Sequence, residues 1–234
     1  MKVDKKLSSL SSGWSFSGKV AENFQEHVKK SVPFYSECHD LICDLSEFFV
    51  NDQSICYEIG SSAGELINKM HLRNEHKKAY WIGLDIEKDM VKVAKKKIRS
   101  KRVKIYHKDI ITTDLKKSDL IVSYYTMQFI KPKVRQKVFD KIYNSLNWGG
   151  AFILFEKVRA PDARFQDITT QLYSEFKKKN GFTAEEILNK TSSLKSVLEP
   201  FSSNANIDLM KRSGFNDILS IFKFVNFEGF LAIK

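Results

Sequence analysis

The sequence predicts an α/β domain: a doubly wound, mostly parallel, seven-stranded sheet, closed by a C-terminal antiparallel hairpin and covered by a helical lid. Two observations carry that reading. From Ser54 onward, short apolar runs alternate with segments of helical period, and right-handed crossovers lay such units into a parallel sheet. At the far end, FNDILSIFKFVNFEGFLAIK holds two strand-like runs, about Ile218 to Phe224 and Gly229 to Ile233, joined by a short turn near Asn226.

In order, SICYEI reads as the first strand and about Gly64 to Leu72 as the helix after it. AYWIGLD is the second strand. In the helix EKDMVKVAKKKI that follows, Met90, Ala94 and Ile98 recur at a spacing of four while Lys92, Lys95 and Lys96 point elsewhere. VKIYHKD and DLIVSYY are the third and fourth strands. KPKVRQKVFDKIYNSL is a helix with Val134, Val138, Ile142 and Leu146 on one stripe and Pro132 in its first turn. GGAFILFEK reads as a fifth strand after a Gly-Gly turn. Two pieces lie outside the sheet: residues 17–49, helical in pattern and broken at Pro33, and residues 163–214, which insert several helices before the hairpin. Ligands of such sheets sit at the carboxyl ends of the strands, so these pieces are expected to form the lid and pocket walls. Residues 1–13 read as a flexible tail and 14–234 as a single domain, without internal repeats.

Composition narrows the class. A chain of 234 residues, 42% hydrophobic and 29% charged, can bury a full core. No apolar run approaches the roughly 20 residues that span a bilayer, and MKVDKKLSSLSSG lacks the apolar centre of a secretory signal. Cys38, Cys43 and Cys56 are odd in number and lack CxxC spacing, which fits buried thiols in a reducing, cytoplasmic compartment. The histidines form no HxxxH or HExxH cluster, so no metal site is expected. The net charge of +11 tilts toward an anionic partner, although its densest run, Lys92 to Arg102, reads as the solvated side of a helix.

The stretch YEIGSSAGE, Tyr57 to Glu65, points to a ligand. A strand ends in an acid, Glu58, then turns through Gly60, Ser61, Ser62 and Gly64 into a helix, where glycines let backbone approach a ligand and free the first amides. Asp85 closes the second strand, placed for ribose hydroxyls, and Asp109 closes the third, placed for an adenine amino group. Each acid alone also reads as a helix cap or solvated loop residue; acids at three successive strand ends together point to a nucleoside cofactor. The stretch lacks both G-x-G-x-x-G and a P-loop lysine. S-adenosylmethionine (SAM) needs neither. Tyr124 and Tyr125 are either aromatic faces for its sulfonium or ordinary core aromatics.

The hairpin-closed parallel sheet resembles the Rossmann-like class I SAM methyltransferases. Longer stretches are similar to the carboxy-S-adenosyl-L-methionine (carboxy-SAM) synthases of tRNA wobble-uridine modification: GWSFSGKVAENFQEHVKKSVPFYS, TMQFIKPKVRQKVFDKIYNSLNWGGAFILFEK, EFKKKNGFTAEEI and FVNFEGFLAIK. The resemblance runs from about Trp14 to the C-terminus. It implies that Tyr35 contacts the cofactor's amino-acid end and that Gly60, Ser61 and Ser62 form the loop beneath it. It implies ribose contacts from Asp85 and Ile86, adenine contacts from Asp109 and Ile110, and Tyr124 in place of an asparagine contact. A homodimer is implied as well. Where the family carries an arginine for the carboxylate of carboxy-SAM, this chain has Thr191, whose hydroxyl cannot make the bidentate contact. The nearby cations are Lys190, Lys195, Arg159 and Arg164, and Ile86 also replaces an asparagine.

The leading expectation is therefore a SAM-dependent methyltransferase on a synthase-like scaffold, releasing S-adenosylhomocysteine after in-line displacement at the methyl group. The acceptor is a small molecule or an RNA. Amino methylation of DNA is unsupported, since the fourth strand is followed by SYYTMQF and not by a Pro-Pro motif, and C5-cytosine chemistry lacks its Pro-Cys. Tyr124, Tyr125, His107 and Glu156 are general-base candidates by location. The second expectation is carboxy-SAM synthesis with prephenate as carboxyl donor, and the third a non-catalytic SAM-binding protein.

Overall fold

The computed structural model describes residues 19–234, with side chains from Phe24 onward; the expected tail over residues 1–13 lies outside the described residues. Two helices come first, α1 (Lys19–Ser31) and α2 (Tyr35–Phe49), parted at Pro33. Proline disfavours helical backbone in the residue before it, and Phe34 after it takes a left-handed φ of 54°.

The alternating part follows as β1 (Ile55–Ile59), α3 (Glu65–Arg73), β2 (Tyr80–Asp85), α4 (Lys88–Lys97), β3 (Val103–His107), β4 (Ser118–Tyr124), α5 (Pro132–Ser145) and β5 (Leu146–Lys157). Three helices intervene, α6 (Ala163–Lys179), α7 (Ala184–Ser193) and α8 (Ser203–Ser213), before the hairpin β6 (Asp217–Phe224) and β7 (Phe227–Ile233). The sheet has seven strands in the order β3-β2-β1-β4-β5-β7-β6. The first five run parallel, and β7 is antiparallel to both β5 and β6. The order reverses between β1 and β4, so the carboxyl ends of these two strands flank the crevice where such sheets take ligands.

Strand period two divides the core into layers. One face sends Cys56, Trp81, Val122 and Phe155 toward Ile42, Ile67 and Met70 of α2 and α3. The other sends Ile59, Ile121, Phe152 and Leu154 toward Phe139 and Ile142 of α5 and Met210 of α8. On α4, Met90 and Ala94 are buried and Lys92, Lys95 and Lys96 exposed, as the spacing of four predicts. All three cysteines are buried and unpaired. Among the described residues no helix is long and apolar enough to cross a membrane.

Two local expectations need correction. The Gly-Gly pair does not precede the fifth strand but lies inside it: Leu146 already pairs with Ser118, and the register shifts between Ser118 and Leu120. Gly149, at φ +77° with open space beside it, absorbs that irregularity. Asp109 does not close the third strand either. β3 ends at His107, and Asp109 opens the following turn, its Oδ1 accepting from the Ile111 amide at 2.8 Å.

Phe152 joins the sheet to the helices on its second face. Its ring meets Phe139 edge-on at 5.6 Å and stacks with Phe215 at 6.2 Å, and it is wholly buried. Phe152→Ala is expected to cost about 3–5 kcal/mol, read as a lower urea midpoint with an unchanged slope.

Candidate functional site

The site is built where β1 ends. Gly60 and Ser61 both donate their amides to the Leu84 carbonyl, at 2.7 and 3.1 Å, and so tie the β1 turn to the end of β2. One residue on, the Ser62 amide donates to Asp85 Oδ2 at 2.7 Å, while Oδ1 of Asp85 accepts from the Glu87 amide at 2.8 Å. Asp85 therefore does structural work that the sequence reading did not assign it. Each of its oxygens keeps a second lone pair, and the carboxyl stands on the wall of the cavity. Burial pushes its pKa above the usual carboxylate range, against the pull of the two amides. Gly60 takes φ +77°, and a Cβ there would fall 2.0 Å from Thr126 Oγ1. Gly64 plays another part: it is off the cavity wall, and a Cβ on it would meet Ile98 at 2.7 Å and Ala94 at 3.0 Å. Its bareness lets the turn pack on α4.

The cavity, about 1270 Å³, opens at the carboxyl ends of the parallel strands. Of the predicted cofactor residues, Tyr35, Glu58, Gly60, Ser61 and Ser62 line one side of it. Asp85, Ile86, Asp109, Ile110 and Tyr124 line the next. His107, Glu156 and Arg164 are not on the wall; His107 bonds the Ile86 carbonyl at 2.9 Å instead. The Ser61 hydroxyl is buried on the wall without a hydrogen-bond partner among the described residues. Glu58 is buried and accepts from the Ile67 amide at 3.0 Å. Burial pushes its carboxyl up to about 8, with the charges of Asp85 and Glu65 adding to the rise, so it is neutral at pH 7.

Aromatic rings close the inner end. Tyr124 lies 5.2 Å from Tyr35, 4.6 Å from Tyr125 and 4.7 Å from His39, ring centre to ring centre. Its hydroxyl donates to the Tyr35 carbonyl at 2.9 Å. Burial raises the hydroxyl pKa of Tyr124 and Tyr125 well above the usual range, so neither is poised as a phenolate base. His39, which the sequence reading missed, is pushed down to about 3 by burial and by the charges of Lys69 and Lys29, and stays neutral.

The other end is cationic. Lys157 at the end of β5, Arg159 beyond it, Lys177 of α6, and Lys190 and Lys195 of the α7 region all reach the wall. Thr191, where the resemblance expected an arginine, also lines the cavity, but its hydroxyl donates to its own helix at the Ile187 carbonyl, 2.7 Å away. Lys190 is engaged by His27 and Ser31. Lys157 had a signal in the sequence, since it ends an apolar strand on the ligand side. Lys177 and Tyr173 had none, because no periodicity says how an inserted helix docks.

A methyltransferase domain model matches residues 57–150. The carboxy-SAM synthase of Staphylococcus epidermidis is 38% identical over 222 residues, covering 94% of this chain and 97% of that protein. The carboxy-SAM synthase of Campylobacter lari is 36% identical, covering 96% of each. Among solved structures, human N-acetylserotonin methyltransferase in complex with SAM has a TM-score of 0.62 at 19% identity, over 93% of this chain and 56% of that one. An O-methyltransferase-like protein of Nostoc punctiforme has 0.66 at 17%, over 92% and 60%. This chain thus spans little more than half of those two structures, and they share its fold.

Two outcomes follow from the geometry. Gly60→Ala forces a left-handed alanine against Thr126 and is expected to lose at least about 1–2 kcal/mol from backbone strain alone, seen as a lower melting temperature that Thr126→Ala does not restore. Glu58 has its folded pKa raised above its unfolded one, so its contribution is present below about 4.5 and lost as pH rises through about 8. Glu58→Gln is expected to flatten that loss. At about 1.4 kcal/mol per pKa unit, thermal unfolding from pH 5 to 9 should show the variant gaining on the parent toward pH 9.

Proposed function

The chain belongs to the carboxy-SAM synthase family, and from that membership we propose that it joins a carboxyl group to the methyl carbon of SAM, taking it from an anionic donor, prephenate: the donor's C–CO2 bond and one methyl C–H bond break, and the proton leaves as water with the hydroxyl that the donor ring sheds on becoming aromatic. As a SAM-dependent transferase it needs the cofactor cradle, and the residues present suit that molecule: the orphaned Ser61 hydroxyl and the spare lone pairs of Asp85, both on the cavity wall. Bound SAM supplies the activated methyl carbon. The protein's own part is to hold the ribose at Asp85, surround the sulfonium with the faces of Tyr35 and Tyr124, and keep water from the reacting carbon.

The observation that carries the synthase reading is the second half of the cavity. Ligand pockets usually hold about 300–1,000 Å³, and this one, at about 1270 Å³, continues past the cradle into a region walled by lysines and Arg159. A carboxylate-bearing co-substrate suits that wall. Methyl transfer, the leading expectation from the sequence, commonly calls for a base beside the acceptor, and the candidates do not serve: His107 and Glu156 are off the wall and the two tyrosine hydroxyls are held protonated. One observation favours methyl transfer, the Thr191 hydroxyl spent on its own helix.

Mass spectrometry after incubation with SAM and prephenate tests the reading. Carboxy-SAM is the expected product; S-adenosylhomocysteine, or unchanged SAM in spite of prephenate, would overturn it in favour of methyl transfer or simple binding. Asp85→Ala is expected to weaken SAM binding roughly tenfold to hundredfold in calorimetry, since it leaves the ribose hydroxyls and the Ser62 and Glu87 amides unpaired.

A further inference from the structure

Buried cations in proteins are paired, because an isolated one in an apolar setting is expensive. Lys157 and Lys177 break that rule together. Lys177 is only 6% exposed and Lys157 is half-buried, yet among the described residues neither ammonium has a hydrogen-bond or ion-pair partner. Burial pushes both lysines down to about 8, and on Lys157 the charges of Lys177 and Arg159 push the same way. What the two ammoniums share is the ring of Tyr173, each lying 4.4 Å from its centre. Their separation is therefore at most twice that distance, close enough for one small anionic ligand to meet both.

The platform they share is fixed. The Tyr173 hydroxyl donates to the Ser31 carbonyl at 2.9 Å, and its ring packs edge-on against Phe227 at 5.2 Å. It thus ties α6 to α1 and to the hairpin, and cannot swing away to relax the two cations. A ring face attracts a cation but carries no net charge, so it holds the ammoniums in place without neutralising them. Lys157, Lys177 and Tyr173 all stand on the wall of the same cavity as the Gly60 cradle.

We propose that Lys157 and Lys177, held on the Tyr173 ring, form a binding subsite for a carboxylate of the co-substrate, and so take up the anion recognition that Thr191 cannot supply. The subsite rests on the synthase reading for the identity of that co-substrate and stands apart from it as a binding site.

Two titrations by calorimetry test it: prephenate into the protein loaded with S-adenosylhomocysteine, which has no methyl group to react, and carboxy-SAM into the ligand-free protein. Lys157→Met and Lys177→Met are each expected to weaken prephenate binding by roughly tenfold to hundredfold, as loss of a charge-assisted contact does. Lys157→Arg and Lys177→Arg should retain most of it. Lys179→Met, which removes an exposed charge from the same helix, should leave it unchanged. SAM affinity reports that the variants are folded. Removal of one of two uncompensated charges should leave the melting temperature of the free protein equal or higher, whereas a structural role for the lysines predicts a fall. Prephenate binding that survives both methionine variants, or a loss confined to carboxy-SAM, overturns the subsite. Parent protein that binds prephenate through these lysines yet makes no carboxy-SAM overturns the synthase reading and leaves the subsite standing.

Discussion

The joint between the ends of β1 and β2 is the constraint on which the site depends. The Leu84 carbonyl takes two amides from the β1 turn and the Asp85 carboxylate takes a third. Three short bonds thus set the path of residues 60–62, and that path brings Gly60 against Thr126 and leaves Ser61 and Ser62 on the cavity wall. The acid serves the turn with one lone pair of each oxygen and keeps the other for the cavity side. A longer acid would not reach the Ser62 amide from the same strand position, and an amide would place a donor opposite one of two donors. The loop needs an aspartate before any cofactor arrives.

Burial then acts on the ionisable groups around the cavity. It raises the carboxyl pKa of Glu58 at the cradle and of Glu156 in β5, each to about 8, so near neutral pH neither of these two acids contributes much negative charge. The same burial acts on Lys157 and Lys177 but leaves them near the edge of protonation at neutral pH. The cavity is lined by aromatics at one end and by Lys157, Lys177 and Arg159 at the other. Arg135, wholly buried beside Phe201 and bonded to the Ile130 and Glu199 carbonyls, holds the loop after β4 from behind and faces Glu156 rather than the cavity.

Most of the architecture was legible because it follows from periodicity. The alternating segments gave the five parallel strands and their helices, and the closing hairpin showed in two apolar runs about a short turn. Ten of the eleven predicted cofactor residues share one cavity, since strand-end positions follow directly from strand assignment. The misses have a common cause. The Gly149–Gly150 irregularity, the backbone duties of Asp85, the packing role of Gly64 and the placement of Tyr173 and Lys177 all depend on contacts between segments far apart in sequence. A glycine reads the same whether it makes room for a ligand or for Ala94. A lysine in the last turn of an amphipathic helix reads as solvated until the helix has docked.

The two ends of the cavity are also coupled. On the proposed reading, a sulfonium entering beside the tyrosines adds positive charge to a cavity whose wall already holds Lys157, Arg159 and Lys177, and at reduced dielectric that repulsion is felt over the length of a substrate. An anion at Lys157 and Lys177 removes it. Each ligand therefore lowers the cost of the other, and the effect is reciprocal, at a scale of about 1–3 kcal/mol. A protein carboxylate placed between the lysines would have relieved the same repulsion, but the substrate would then have had to displace it. The uncompensated pair is less stable when empty and more selective when filled, because an uncharged molecule of the same shape leaves the repulsion in place. On the proposed subsite, the missing partner of the two lysines would be the co-substrate's own anion, arriving where the cationic cofactor gains from it.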